Sequence, residues 1–159
     1  MADSIEQKII SRAVAAMQTI RISNGYHSEV GGRVEDSRPN WDQEDDLADG
    51  AAISIFQGST ETVDLDDEAQ MVLRKLPLMF KGFLVRGTDA ASARKLISDI
   101  HTILRSVIGD KWIVSSVPLA VQTDESSHGI DYAPDTYEVT GIEVAIEVFY
   151  RASKFNTES

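Results

Sequence analysis

Apolar positions recur along this chain with two periods, and the switch from one to the other lays out its elements. Ile5, Ile9, Ala13, Ala16, Met17 and Ile20 fall three or four residues apart, which puts them on one stripe of a helix over residues 4–19. Ser4-Ile5-Glu6-Gln7 opens it with the S-x-x-Q form of a capping box, in which two side chains satisfy amides that lack an intrahelical acceptor. Ala93, Leu96, Ile97, Ile100, Ile103, Leu104 and Val107 repeat the pattern and predict a stronger helix over residues 88–108. Thr88 is its expected cap, and Gly109 stands where a left-handed C-terminal stop belongs. The period falls to two over residues 137–151. There Ile142, Val144, Ile146, Val148 and Tyr150 face one way, and Glu143, Glu147 and Arg151 the other, as in a half-buried strand.

The remaining segments are shorter or less regular. Residues 51–57 (AAISIFQ) read as a strand closed by Gly58. Residues 70–86 read as one long bent strand, or as two meeting near Pro77. A proline cannot donate to a ladder and so suggests an edge or a break; Gly82 suggests a bulge. Turn signals at Asn24-Gly25 and Gly31-Gly32 bound short strand candidates at 26–30 and 33–37. Residues 111–122 read as a strand ended at Pro118. Residues 39–50, 59–68 and 123–135 read as loops, and the segment from about 152 as a polar tail. The expected fold is α+β, an antiparallel or mixed β-sheet with two main helices packed on one face, in one domain spanning 1–159.

Composition sets limits on what such a domain does. Of 159 residues, 42% are hydrophobic and 26% charged, enough apolar content for a core. The apolar runs are too short to span a membrane, and the first nineteen residues lack the pattern of a signal peptide. There is no cysteine, which excludes disulfides, thiolate nucleophiles and thiolate metal sites. The net charge of -11 argues against tight binding to nucleic acid, which needs basic clusters that displace counterions.

No catalytic pattern emerges. His27, His101 and His128 lie far from any H-E-x-x-H spacing, and His101 sits off the apolar stripe of its helix, as a partly exposed structural histidine would. Asp45, Asp49 and Gly50 match three positions of an EF-hand loop, but Leu47 and Phe56 stand where carboxylates are needed. The glycines at 82 and 87 have P-loop spacing, with Thr88 in place of the required lysine. The expectation is therefore no enzyme, no metal and no cofactor.

Two features point to assembly instead. Trp41 stands inside a charged segment, where a large aromatic suits a contact with a partner or with its own core. The charges are also segregated along the chain. Arg74, Lys75, Lys81 and Arg86 fall on the extended segment, whereas Asp42, Glu44, Asp45, Asp46 and Asp49 form one acidic stretch and Glu61, Asp64, Asp66 and Asp67 another. Such patches can pair between subunits or within one chain.

Taken in order, several segments resemble the tail terminator, or tail-to-head joining, proteins of long-tailed bacteriophages and prophages. They are the N-terminal helix ending in Met17-Gln-Thr-Ile20, Asn24-Gly-Tyr-His27, Gly32-Arg-Val34, the acidic loop, Ile53-Ser-Ile-Phe-Gln-Gly58, Thr88-Asp-Ala-Ala91, Leu96-Ile-Ser-Asp-Ile100 and the strand from Glu143 to Tyr150. The 42–49 loop is longer than the family's short approach to its strand, and the basic, proline-containing strand is unusual for it. The resemblance implies a structural virion protein of the tail, assembled in the bacterial host cytoplasm without catalysis. It implies a ring, commonly a hexamer, that caps the tail tube protein, ends tube polymerisation and offers a surface to a head-closure or neck protein. DNA passes through such a ring without sequence-specific binding, and the two acidic stretches are candidate lumen or interface loops. The alternatives are another neck component, such as a head-closure or adaptor protein, and a small-ligand-binding domain.

Overall fold

The capping box at Ser4 starts the first helix. In the computed structural model, which describes residues 4–41, 50–66 and 70–153, the Ser4 hydroxyl accepts the Gln7 amide at 3.1 Å and helix α1 runs Ile5–Met17. A single 3-10 turn at Ile22–Asn24 and another at Val30–Gly32 follow, so the 26–30 strand candidate does not form. Strand β1 (Val34–Asp36) is all that remains of the 33–37 candidate. Strand β2 (Ala51–Gln57) has the expected bounds. It is followed by β3 (Glu61–Asp66), β4 (Met71–Leu84), helix α2 (Ala90–Thr102), the two-residue strands β5 (Ile113–Val114) and β6 (Val117–Pro118), β7 (Gln122–Tyr132) and β8 (Val139–Ser153).

Among the described residues, six strands form one sheet in the order β1-β2-β4-β8-β7, with β3 also on β4. The β1–β2 pair is parallel and the others antiparallel, so the sheet is mixed. Val72, Leu76, Leu78, Phe80 and Leu84 of β4 and Ile142, Val144, Ile146, Val148 and Tyr150 of β8 point to the same side. On that side they form one core with Ile5, Ile9, Ala13 and Met17 of α1 and Ala93, Leu96 and Ile100 of α2. Both helices therefore cover one face, and the architecture is α+β.

Strand β4 passes through Pro77 without a break, although neighbours flank it on both sides. The reason lies in the alternation of main-chain groups. In an antiparallel ladder, the N–H and C=O of one residue point the same way. The Pro77 carbonyl accepts the Gly58 amide at 2.9 Å, so its nitrogen also faces that side. There β2 has ended at Gln57, paired with Leu78, and β3 takes over at Glu61, paired with Lys75. The missing donor falls in the gap between two neighbours, where no ladder bond is lost. Gly82 marks no bulge. A Cβ there would lie 2.7 Å from Ile142 and 2.9 Å from Leu96, so the glycine lets α2 and β8 approach β4.

Further expectations are corrected. Asp89, not Thr88, caps α2, accepting the Ser92 amide at 2.7 Å, while the Thr88 hydroxyl donates to Val85. The α-helical pattern ends at Thr102 and continues as a π-helical segment, Ile103–Ile108. Its last bond runs from the Gly109 amide to the Leu104 carbonyl, with Gly109 at φ 69° and ψ -177°, a conformation almost confined to glycine but not the left-handed helical one. The loops expected at 59–68 and 123–135 contain β3 and β7. Finally, β8 extends to Ser153 with Ala152 buried, because Ala152 pairs with Val72 inside the sheet.

Candidate functional site

Among the described residues, three exposed apolar side chains lie together on one hairpin. Strands β5 and β6 are joined by Ser115-Ser116, both with positive φ, the signature of the type I′ turn that matches the twist of two strands. Ile113, Val114 and Val117 are 51%, 40% and 58% exposed. Trp112, at the foot of the hairpin, is buried completely, and its indole N–H donates to Thr123 Oγ1 on β7 at 2.7 Å. The Leu119 and Ala120 amides both bond to the Lys111 carbonyl. A firmly anchored base thus presents an apolar tip to solvent. No motif marked this hairpin in the sequence; the three β-branched residues around a Ser-Ser pair were the available signal.

The basic residues singled out from the sequence do not form one patch. Lys75 and Lys81 point to the face opposite the helices. Lys75 Nζ lies 3.2 Å from Glu61 and 3.6 Å from Glu147, and Lys81 Nζ 3.9 Å from Glu143. The hydrogen bond that Lys75 donates to Glu61, followed by the charge of Glu147, raises the Lys75 pKa above its ordinary value. Arg86 Nε is 3.5 Å from Glu138. Arg74 pairs across the ladder with Tyr150, on the helix-covered side, beside Glu6. Sheet pairing has therefore joined basic and acidic residues within the chain. Asp64 accepts the Leu65 amide at 2.8 Å, and Asp66 ends β3. Asp42, Glu44, Asp45, Asp46, Asp49 and Asp67 lie outside the described residues.

Trp41 is 9% exposed and covers β2 from the side opposite the helices. Its indole N–H donates to Ser54 Oγ at 2.8 Å, and that hydroxyl donates to the Arg38 carbonyl at 2.6 Å. The Arg38 guanidinium lies 4.0 Å over the ring. The aromatic therefore folds back on its own chain, which accounts for its place in a charged segment without a partner.

Two histidine clusters appear that spacing could not show. His27 Nδ1 lies 2.6 Å from Asp99, and the same carboxylate accepts the His27 backbone amide at 3.0 Å. Asp99 is almost fully buried, so it ties the 25–29 turn to α2. The second cluster joins α2 to β7. Glu125 Oε1 is 2.9 Å from His101 Nε2 and 2.6 Å from His128 Nδ1, and the two imidazoles meet edge to face at 4.9 Å. On a regular strand, residues three apart face opposite sides. Here Ser126 is a bulge: Glu125 pairs with Ile146, while Ser127 pairs with Ala145, so Glu125 and His128 both face the helices. Burial opposes ionisation of Glu125, but hydrogen bonds from His101 and His128 outweigh it and hold the carboxyl below its ordinary pKa.

No protein-family model and no curated protein matches this sequence. Solved structures do. The chain shares its fold with a virion component. That neighbour is a chain from the virion of a native gene transfer agent particle, similar with a TM-score of 0.50 at 14% sequence identity. The likeness covers 94% of this chain and 92% of the other, so it concerns the whole arrangement of helices and sheet. No helix among the described residues is long and apolar enough to cross a membrane.

Proposed function

We propose that this chain is a structural virion protein of a phage-like particle, and that it acts as a tail terminator, forming a ring on the tail tube and offering the opposite surface to the head. The observation that carries the reading is the fold shared with a virion chain over nearly the full length of both. The order of segments resembling tail terminators agrees with it. Catalysis has no part in this role.

A closed ring repeats one heterologous contact, in which a patch on each subunit meets a different patch on the next. The β5–β6 hairpin supplies one such patch. Its Ile113, Val114 and Val117 are half in water on a well-anchored base, as side chains that become buried on assembly would be. The net charge of -11 suits a ring through which DNA passes, because an acidic lumen repels phosphate. Glu61 and Asp64 on β3, with the acidic 42–49 stretch, are the residues proposed to supply it.

Light scattering with negative-stain imaging of the same sample tests the reading. Closed rings with a central hole, free or on added tail tubes, are the expected result. A monomer at all concentrations that also fails to cap tubes overturns it. Attachment to the portal side instead would reassign the chain to an adaptor role.

A further inference from the structure

We propose that His101, Glu125 and His128 form a binding site for a zinc-type divalent cation that clips helix α2 to the edge strand β7. The three side chains bring two imidazole nitrogens and a carboxylate oxygen within 4.8 Å of one another. Two histidines and a carboxylate are a donor set that suits zinc, with remaining positions filled by water. Glu125 Oε1 sits between the two imidazoles, 2.9 Å and 2.6 Å away, so the present geometry is bridged by hydrogen bonds.

A metal needs slightly more room. Bonds of about 2.0–2.1 Å in a tetrahedron separate neighbouring ligand atoms by about 3.3 Å. The two gaps must therefore open by roughly half an ångström, while the two imidazole nitrogens, within 4.8 Å of each other, draw together by about 1.5 Å and each ring presents an unprotonated nitrogen by changing tautomer. The side chains can make that movement, since His101, Glu125 and His128 are respectively 30%, 40% and 52% exposed. Open space adjoins His101 and Glu125: a depression of about 400 Å³, lined also by Arg105, Asp110 and Thr123, leaves access for the ion and its waters. The bulge at Ser126 is what brings Glu125 and His128 to one side, and the site does not depend on ring formation.

Calorimetric titration of the full chain with zinc chloride at neutral pH, together with thermal unfolding, tests the assignment. One ion per chain is expected, with a raised unfolding midpoint. Glu125→Gln, which keeps side-chain volume, and His128→Ala, at an exposed position, should each weaken binding at least about tenfold, since loss of even an indirect supporting group commonly costs that much. His27→Ala, outside the cluster, should leave the affinity unchanged. Cobalt in place of zinc should give the visible absorption of a low-coordinate site, lost in both cluster variants. Absence of saturable zinc binding, or binding undiminished in both variants, would overturn the proposal.

Discussion

Replacing Ile113 and Val117 together by serine isolates the contribution of the β5–β6 hairpin to assembly. About half of each side chain is in water. Full burial of an isoleucine or valine is worth about 1.5–3 kcal/mol, so covering the exposed half on association contributes about 1 kcal/mol per residue. The double variant should then lose about 2 kcal/mol at each subunit contact, which is roughly a thirtyfold weaker contact. Loss at every contact around a ring compounds. The isolated subunit should change less, because such exposed strand substitutions cost at most about 1 kcal/mol each, a fall of at most about 4–8 °C in Tm for the pair in a domain of this size. Sedimentation velocity over a concentration series, with thermal unfolding under dissociating conditions, separates the two effects. Wild-type-like assembly would refute the reasoning. So would a Tm loss above about 10 °C, since the side chains would then be supporting the fold itself.

Three other outcomes follow from the packing. Trp41→Ala should destabilise the subunit by about 3 kcal/mol, near the lower end for loss of a buried aromatic, and lower the denaturant midpoint; an unchanged midpoint would return Trp41 to the surface. Gly141→Ala should disrupt the β4–β8 ladder, because the added Cβ would collide with the Gly82 carbonyl, and the loss should appear in amide exchange across β8. Burial, aided by the negative charge of Glu6, raises the pKa of Tyr150. Its contribution to stability is therefore full below the unfolded tyrosine pKa near 10 and is lost as pH rises through the folded value. Tyr150→Phe should flatten that alkaline decline in a pH series of unfolding curves, and an unaltered decline would assign it to other groups.

Where burial was one-sided and regular, the sequence carried the structure. Strand β8 alternates along its central span because one face meets the helices, and β2 could be bounded by its apolar run and Gly58. The α1 cap was legible because its bonds are local. Strands β3 and β7 were not, because they are largely exposed: their polar residues carry no period, and pairing to β4 and β8 is what makes them strands. Pro77 misled because a proline's effect depends on which neighbour its nitrogen faces. The basic residues looked like one patch because linear order hides the two faces of β4 and the acidic partners that β3 and β8 bring. The His101 cluster was hidden twice, by the distance in sequence to Glu125 and by a bulge that changes the facing of His128.

That single extra residue at 126 also gives the edge strand a phase mark. A uniform strand can slide along its neighbour in two-residue steps and keep its facing. Strand β7 cannot do so at small cost, because any slide carries the irregularity away from its place opposite Ala145 and Ile146. Removing Ser126 would leave two incompatible choices. Either His128 and Ile130 keep their facing and Thr123 turns away from the Trp112 indole, or the reverse. An outermost strand thus acquires one permitted alignment from within its own sequence.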